Sequence, residues 1–422
     1  MLKALSDKLS FIKPDSGAIM NKTKVVAFTL AFSFILLAVT AQPAAAASRY
    51  DSLRSYMNGR YDSVMGGYSI PGEGVVTLDP TYGAISIMNE VGTIENRPPP
   101  ISITTTMDLI VDFQYLSGLE NVDPRYGGFS DYVLGPVTNG GNYRALVIWH
   151  ILKSQGGIPD TEDYAINATA NLLWINKTQT ESGGFTISRE AIDDGGDPDL
   201  LSTAYALMAI RILDDNYEEE DAWSWLLNET ATVAWIESCR DGNAYKLSPD
   251  SQLPSVTATA AAVMAYHALD MSSVIPNIAS IVTWLANRQV LDGPETELIG
   301  GFEEGSGTEA SNLLSTYYAI SALGILNGLS TINATAAENF ILNCQTPEGS
   351  FANSPGFDTG ELLYSGYACE ILNQINPNGA MSSLSSFDPF SPEETGFEWR
   401  IYVIVGIIVI AIGLAVFAVR AD

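Results

Sequence analysis

The sequence predicts an all-α fold, an (α/α)6 toroid of six helix-pair repeats, between an N-terminal signal segment and one C-terminal transmembrane helix. Three features of the 422 residues predict it: a repeat of about 50–60 residues, a charge-free run near the C-terminus, and a basic, apolar, small-residue succession near the N-terminus. The expected organisation is a signal peptide or signal anchor at 1–47, the toroid at 48–375, a Ser/Pro/acidic stalk at 376–400, a transmembrane helix at 401–419 and a short cytoplasmic tail at 420–422.

The N-terminal segment is the first of these elements. Lys22 and Lys24 precede an apolar stretch from Val25 to Val39, and the small-residue segment AQPAAAAS follows it. That order is typical of a secretory signal, which is either cleaved after Ala47 or kept as an anchor. In both cases the positive-inside rule places the residues that follow outside the cytoplasm.

Six loops of the form Gly-Gly-aromatic, some of them degraded, divide the next part of the chain into units. The aromatic residues are spaced by 61, 56, 60, 57 and 49 positions, a period typical of repeat architectures. Glycine suits a tight turn that delivers an aromatic side chain between helices, because it tolerates positive φ and close backbone approach. The aromatic residues are Tyr68, Phe129, Phe185, Tyr245, Phe302 and Phe351.

Two further columns of residues keep register with these loops. Segments upstream of the loops are apolar on one face and predict outer amphipathic helices, whereas the Ala- and Leu-rich segments downstream predict buried inner helices. Six such pairs are enough to close a ring with the inner helices inside. The upstream column consists of Trp174, Trp235, Trp284 and Phe340, with Tyr56 and Phe113 as looser counterparts in the first two units.

The C-terminal elements follow the sixth unit. Residues 376–400 are rich in Ser, Pro and acidic residues and show no periodicity, which predicts a stalk. The run from Ile401 to Val419 has no charge over 19 residues. At about 1.5 Å per residue it spans roughly 28 Å, enough to cross a bilayer once. We therefore expect a single-pass protein of the cell membrane, with the bulk of the chain extracytoplasmic.

The charge of the chain bears on its partners. The net charge is −29; residues 1–47 carry +3 and residues 401–422 carry zero, which leaves −32 on residues 48–400. Such a surface repels phosphate backbones, so nucleic acid is excluded as a partner. Four sequons in this exported part are candidate glycosylation sites. They are Asn167, Asn176, Asn228 and Asn333.

Two of the repeats point to a known family. The sixth unit reads CQTPEGSFANSPG and then LLYSGYACEIL, and the fifth reads TWLANRQ and then GGFEEGSGTEASNLLSTYYAISAL. Over residues 50–376 the chain resembles the repeats of protein prenyltransferase β subunits and of squalene and oxidosqualene cyclases, the α/α-toroid superfamily. The resemblance implies the toroid fold and says little about the chemistry.

The activities that the resemblance suggests lack their residues here. Zinc prenyltransferases use an Asp-x-Cys pair and a His at the starts of inner helices, but this chain has no Asp-x-Cys, and His150 and His267 lie deep in inner-helix segments. The cyclase box DxDDTA corresponds to DLLSTA at residues 199–204, which lacks the acid that protonates an alkene. Zinc prenyl transfer and cyclisation are therefore disfavoured, and no zinc site is expected.

Paired carboxylates are a third possibility. Asp199 and Glu361 share a column at the starts of the third and sixth inner helices, with Ser255 and Asn312 in two other units. An acid and a base facing each other across the ring would suit an inverting glycan-processing enzyme. The competing interpretation is that these polar residues cap helix N-termini.

A column of larger residues lies further along the inner helices. It includes an arginine and several tyrosines, which either line a ligand funnel, together with Asn312, or pack between the helices. In the resembling enzymes, aromatic side chains line the funnel that holds an isoprenoid. A lipid, glycan or peptide ligand is therefore conceivable. The column consists of Tyr82, Arg144, Tyr205, Tyr318 and Tyr367.

The segment DDGGDPD supplies the only metal candidates. Asp193, Asp194 and Asp197 offer hard oxygen ligands suited to calcium, or they belong to a solvated acidic loop. No other cofactor is indicated. We expect a membrane-anchored extracytoplasmic toroid that binds a ligand or a partner protein in its central funnel. The alternative is an enzyme, either of the prenyltransferase and terpenoid cyclase type or a carboxylate-dependent one acting on glycans.

Overall fold

The computed structural model shows six helix pairs arranged in a ring. The predicted mostly helical α/α toroid is thereby confirmed, and the residues that form it belong to one compact unit, Ala47–Ser391. The predicted transmembrane helix at 401–419 and the signal segment before Ala47 lie outside the described residues. No helix in the described part is long and apolar enough to cross a membrane. The structure describes residues 47–94, 102–118, 122–155, 164–217, 221–305, 307 and 310–391.

Fourteen α-helices are present in the described part of the chain. Outer and inner helices alternate along the six units, and two short helices lie outside this alternation. In chain order the helices are α1 (Arg49–Arg60), α2 (Leu78–Glu90), α3 (Ile103–Phe113), α4 (Asn139–Gln155), α5 (Ala168–Asn176), α6 (Arg189–Asp193), α7 (Leu200–Asn216), α8 (Glu229–Ser238), α9 (Val256–Ala268), α10 (Ile278–Ala286), α11 (Leu313–Ile325), α12 (Ala334–Asn343), α13 (Leu362–Ile375) and α14 (Ala380–Leu384).

The six inner helices α2, α4, α7, α9, α11 and α13 pack on one another in sequence, and α13 packs on α2 to close the ring. This last crossing depends on two glycines. A Cβ atom on Gly83 would lie 2.0 Å from the carbonyl oxygen of Leu362, and one on Gly366 would lie 2.7 Å from the Cα of Gly83. Only residues without a side chain allow the first and last inner helices to approach so closely.

The Gly-Gly-aromatic loops join each outer helix to its inner helix and bury their aromatic rings completely. The backbone N–H of each aromatic residue donates to a hydroxyl or amide oxygen on its own inner helix, at 2.9–3.3 Å. The first glycine touches the next outer helix: a Cβ on Gly127 (φ +97°) would lie 2.0 Å from the carbonyl oxygen of Ala170. Three loops contain two-residue strand pairs: β1 (Tyr61–Asp62) with β2 (Gly67–Tyr68), β3 (Arg240–Asp241) with β4 (Ala244–Tyr245), and β5 (Phe302–Glu303) with β6 (Ser311–Asn312).

Glutamines tie successive units together. The side chain of Gln289 donates to the carbonyl of Asn333 at 2.9 Å and accepts from its N–H at 2.8 Å, which holds the start of the next outer helix. Gln345 connects the last unit to the first in a similar way. Its amide donates to the carbonyl of Arg49, and its side-chain oxygen accepts from the Arg49 guanidinium. Gln289 and Gln345 therefore have a structural role, since they pair backbone groups that would otherwise be buried without partners.

Five of the inner helices are also tied to the next loop. Their first N–H donates to a carbonyl two residues beyond the aromatic residue of that loop, at 2.7–3.0 Å. No such bond joins Leu362 of α13 to the first loop within the described residues. A cavity of about 330 Å³ lies there instead, lined by Ile70, Pro71, Phe357, Glu361 and Tyr364 among others.

The first part of the predicted stalk is folded, and residues 392–400 lie outside the described residues. Residues 376–391 are folded onto the ring, with α14 packed on α1, the N–H of Asp388 donating to the carbonyl of Ala47 at 3.1 Å, and Asp388 accepting from the Ser52 hydroxyl. The sequence did not predict this segment as folded, because a helix of five residues is too short to show a hydrophobic period. The compact unit thus extends to Ser391, 16 residues beyond the predicted end of the toroid at 375.

Candidate functional site

The centre of the ring is closed by tyrosines. The Tyr205 and Tyr318 hydroxyls share a hydrogen bond of 2.8 Å, and the ring of Tyr367 meets that of Tyr82 edge-on with centroids 6.2 Å apart. All four tyrosines are buried, and Arg144 donates to the Tyr367 hydroxyl at 3.4 Å. The structure therefore brings the predicted column of inner-helix residues together as a packed layer, which we call the waist: Tyr82, Arg144, Tyr205, Tyr318 and Tyr367.

The two ends of the ring differ because all inner helices run in the same direction. Their N-termini and the Gly-Gly-aromatic loops form one end, the loop rim. Their C-termini form the other, the C-terminal rim. At the loop rim Arg144 pairs with Asp79 at 2.8 Å. Burial raises the pKa of the nearby Asp131 carboxyl to about 6, and the negative charge of Asp79 adds to the effect.

Two cavities of about 350 Å³ each open at the C-terminal rim, next to the waist. Both are lined by Tyr143, Glu370 and Gln374, so they share a wall. The first rim cavity adds residues from the ends of α2, α4 and α13. The second rim cavity adds residues from α7, α9 and α11. Further lining residues are Tyr82, Ser86, Asn89, Glu90, Val147, Ile151 and Asn373 in the first, and Met208, Met264, His267, Tyr317, Ser321 and Ile325 in the second.

Glu370 is the central acid of this rim. It is half-buried in α13, and its Oε1 accepts from the Tyr82 hydroxyl at 2.9 Å. Burial raises its pKa to about 7, against the opposing effect of nearby hydroxyls on Ser86, Tyr82 and Tyr317. A carboxyl that titrates near neutrality in a cavity is a common feature of functional sites.

Glu90 is the second acid in the first rim cavity. Its two carboxylate oxygens accept from the amides of Asn89 at 2.9 Å and Asn373 at 2.6 Å. Burial raises its pKa despite these two hydrogen bonds. The Oδ1 of Asn89 is buried and has no hydrogen-bond partner among the described residues. The cavity thus presents two carboxylates and one unpaired acceptor.

The carboxylates expected from the sequence have other surroundings. Asp199 caps α7: its oxygens accept from the N–H of Ser202 at 2.8 Å and from the same residue's hydroxyl at 2.7 Å. Asn312 caps α11 in the same way, so it lies at the loop rim and not in the waist. Glu361 makes no capping bond and lines the loop-rim cavity, where burial raises its pKa. Capping is therefore the role that the structure gives to Asp199 and Asn312.

The metal candidates do not converge. Asp193, Asp194 and Asp197 are exposed around the end of α6. Across the described ranges, no group of three or more His, Cys, Asp or Glu side chains is placed to hold a metal ion. His150 and His267 are exposed, and each contacts a polar side chain, Asn216 and Ser272 respectively. The three cysteines are buried as free thiols.

The four sequon asparagines fall into two groups. Asn167, Asn228 and Asn333 are exposed N-caps of the outer helices α5, α8 and α12, and each uses its side-chain oxygen as the cap. Asn176 is half-buried, and its amide nitrogen donates to the carbonyl of Trp225. Since a glycan is attached through the amide nitrogen, the first three remain the better candidates.

A closed ring of six helix pairs with a tyrosine waist defines the class of protein, an α/α toroid. The family model of the prenyltransferase alpha-alpha toroid domain matches residues 20–192, 136–293 and 205–384. The chain belongs to this family, which confirms the resemblance seen in its repeats. No curated protein sequence matches the chain significantly.

Three solved structures are similar to the chain at low sequence identity. Candida albicans protein geranylgeranyltransferase-I complexed with GGPP is 18% identical over 76% of this chain and 91% of that chain, with a TM-score of 0.53. The type II terpene cyclase MstE from Scytonema is 12% identical over 79% and 98% of the two chains, with a TM-score of 0.45. A protein from Actinoplanes is 13% identical over 78% and 99%, with a TM-score of 0.47. The likeness to the first of these, at 18% identity, concerns the fold alone.

Proposed function

We propose that the toroid is a binding module whose ligand enters at the C-terminal rim and contacts Glu370. The observation that carries the proposal is the pair of cavities on either side of this acid, each of about 350 Å³, within the range of small-molecule sites. Their walls combine apolar and tyrosyl side chains with a few polar groups, which is the usual composition of such sites. Tyr82 of the waist forms part of the wall of the first rim cavity.

The loop rim is the less suitable entrance. Its cavity has a similar volume, but Phe357 in its wall is 59% exposed, and its acid Glu361 is more exposed than Glu370. At the C-terminal rim, by contrast, Glu370 is half-buried and accepts a hydrogen bond from Tyr82 of the waist. A polar group is more selective for a ligand when it is shielded from water.

We further propose that residues 401–419 anchor this module in the cell membrane and that the toroid lies outside the cytoplasm. The charge-free run and the preceding basic and apolar N-terminal segment support that placement. Protease added to intact cells should digest the toroid. Complete protection of residues 48–391 in intact cells, with digestion after lysis, would contradict it.

Native mass spectrometry of the full-length chain in a non-ionic maltoside detergent tests the binding proposal. The wild-type protein should retain a bound small molecule, and Val147→Trp, which fills the first rim cavity, should lose it. Leu227→Trp is the matched control, because Leu227 is 63% exposed on the outer surface. Equal retention by both variants would contradict the proposed site.

An acid/base enzyme acting on glycans is the second candidate, favoured by the two carboxylates of the first rim cavity. Against it, both oxygens of Glu90 are occupied by amide donors, so this group is poorly placed to activate water. Hydrolysis of a glycoside that is lost in Glu370→Gln would make this candidate the better one.

A further inference from the structure

We propose that the first rim cavity binds an alkylammonium group, a primary amine on an apolar chain, held between Glu370 and Asn89 with the chain against Val147 and Ile151. This inference rests on the proposed binding function and names the chemistry of its ligand. It depends on a mismatch between acceptors and donors in the cavity wall.

The first part of the mismatch is the Asn89 side chain. Its Oδ1 is buried and unpaired in the described part of the protein, whereas its Nδ2 donates to Glu90 at 2.9 Å. Rotating the amide would place the oxygen against the carboxylate, so the amide cannot satisfy its acceptor by turning over. A buried acceptor without a donor destabilises the folded protein. A ligand that brings an N–H group to this oxygen removes that destabilisation.

The second part is the absence of a cation beside the acid. Within the described ranges no lysine or arginine forms an ion pair with Glu370, and the nearby guanidinium of Arg144 is paired with Asp79 at 2.8 Å. Asn89 and Glu90 lie in the last turn of α2, and Asn373 and Gln374 lie in the last turn of α13. The C-terminal ends of helices carry partial negative charge, which favours a cation at this place.

The remaining walls suit the body of such a ligand. Val147 and Ile151 of α4 provide an apolar surface beside the rings of Tyr82 and Tyr143. Tyr143 stacks on Tyr205 with centroids 5.3 Å apart, so one face of its ring is already covered and the ring is held in place. Aromatic rings next to a carboxylate are a favourable setting for an ammonium group.

An inorganic cation fits less well. Calcium takes six to eight oxygen ligands, and the described residues place no group of three His, Cys, Asp or Glu side chains together. An ammonium group needs only a few acceptors and an apolar place for its chain, which is what the cavity offers.

The proton is the competitor for this site. Because the pKa of the Glu370 carboxyl is raised to about 7, the ionised form that binds an ammonium is depleted below neutrality. Affinity for the amine should therefore fall about tenfold between pH 8 and pH 6. The titratable groups that face Glu370 from the packed helices are Tyr82 and Glu90 of α2, Tyr143 of α4, Tyr317 of α11 and Tyr367 of α13, with His267 of α9 in the second rim cavity.

Isothermal titration of the full-length protein in maltoside detergent with n-pentylamine tests the inference, and pentan-1-ol is the neutral comparison. The amine should bind at least about tenfold more tightly than the alcohol at pH 8. Glu370→Gln should lose both this preference and the pH dependence. Asn89→Leu should bind the amine with lower affinity, and thermal melting should show that this variant is folded. Glu181→Gln, the same change in an exposed loop, should bind as the wild type does.

Two outcomes overturn the inference: equal affinities for amine and alcohol, or unchanged amine binding in Glu370→Gln. If native mass spectrometry shows a neutral ligand that Val147→Trp displaces, the binding function holds and the ammonium chemistry fails.

Discussion

Replacing Glu370 with Gln should stabilise the protein at high pH and leave its stability unchanged at low pH. In the folded protein burial raises the pKa of this carboxyl from 4.5 to about 7. Between these two values the folded state binds a proton that the unfolded state has lost. Stability from this group is therefore fully present below pH 4.5 and is lost as the pH rises through 7. At about 1.4 kcal/mol per pH unit the loss reaches about 3 kcal/mol at pH 8.

Glutamine has the shape of the protonated acid and no charge to desolvate, so the variant keeps the stability that the wild type loses. Urea unfolding of both proteins at pH 5 and pH 8 measures the difference from the midpoints and slopes. We expect a gap of about 3 kcal/mol at pH 8 and of less than about 1 kcal/mol at pH 5. The control Glu181→Gln should show no such gap at either pH. A variant that is less stable than the wild type at pH 8, or a gap of equal size at both values, would refute the reasoning.

Three further predictions concern the ring. Gly366→Val should lower stability by about 1–3 kcal/mol in thermal melting, because its Cβ would lie 2.7 Å from a backbone atom of α2; an unchanged melting temperature would show that the helices separate freely. Gln289→Ala should cost about 1–3 kcal/mol, since it leaves backbone groups of Asn333 and Gly300 without partners; a neutral result in urea unfolding would mean that water replaces them. The three cysteines are buried with raised pKa values, so a thiol reagent should modify none of them before unfolding; rapid labelling of the native protein would contradict their placement.

The ring itself was predictable because its sequence repeats with a regular period. Six aromatic loops and two columns in register define both helices of each unit, and the closure follows from the need of terminal units to bury their apolar faces. The pair of glycines at the closing helix crossing was not found in the sequence. Gly83 and Gly366 stand one each in the first and last inner helices, and only the packing of α13 on α2 shows that they meet.

The candidate site was predicted less well. The column of tyrosines was found, but it forms the closed waist, and the cavities lie beyond it toward the helix C-termini. The acid of this rim, Glu370, had a visible signal: it is a charged residue within an otherwise apolar inner helix, in YACEIL. Its setting among Tyr82, Tyr143 and Tyr317 was not visible, because those residues come from three other units.

Of the two interpretations that the sequence left open for the acids at the loop rim, the structure shows capping for Asp199. Asp199 starts an inner helix and is followed three residues later by Ser202, a spacing that suits capping as well as catalysis. The short helix at 380–384 and its contacts with α1 were missed, since so short a segment has no measurable period.

The position of the ligand is the central claim, and photolabelling tests it most directly. An alkylamine that carries a diazirine, irradiated with the full-length protein at pH 8, should label residues of the first rim cavity such as Val147 and Ile151, and excess pentylamine should prevent the labelling. Labelling of Ile70 or Phe357 at the loop rim that excess pentylamine prevents would contradict the account. Labelling spread over the outer helices would contradict it as well.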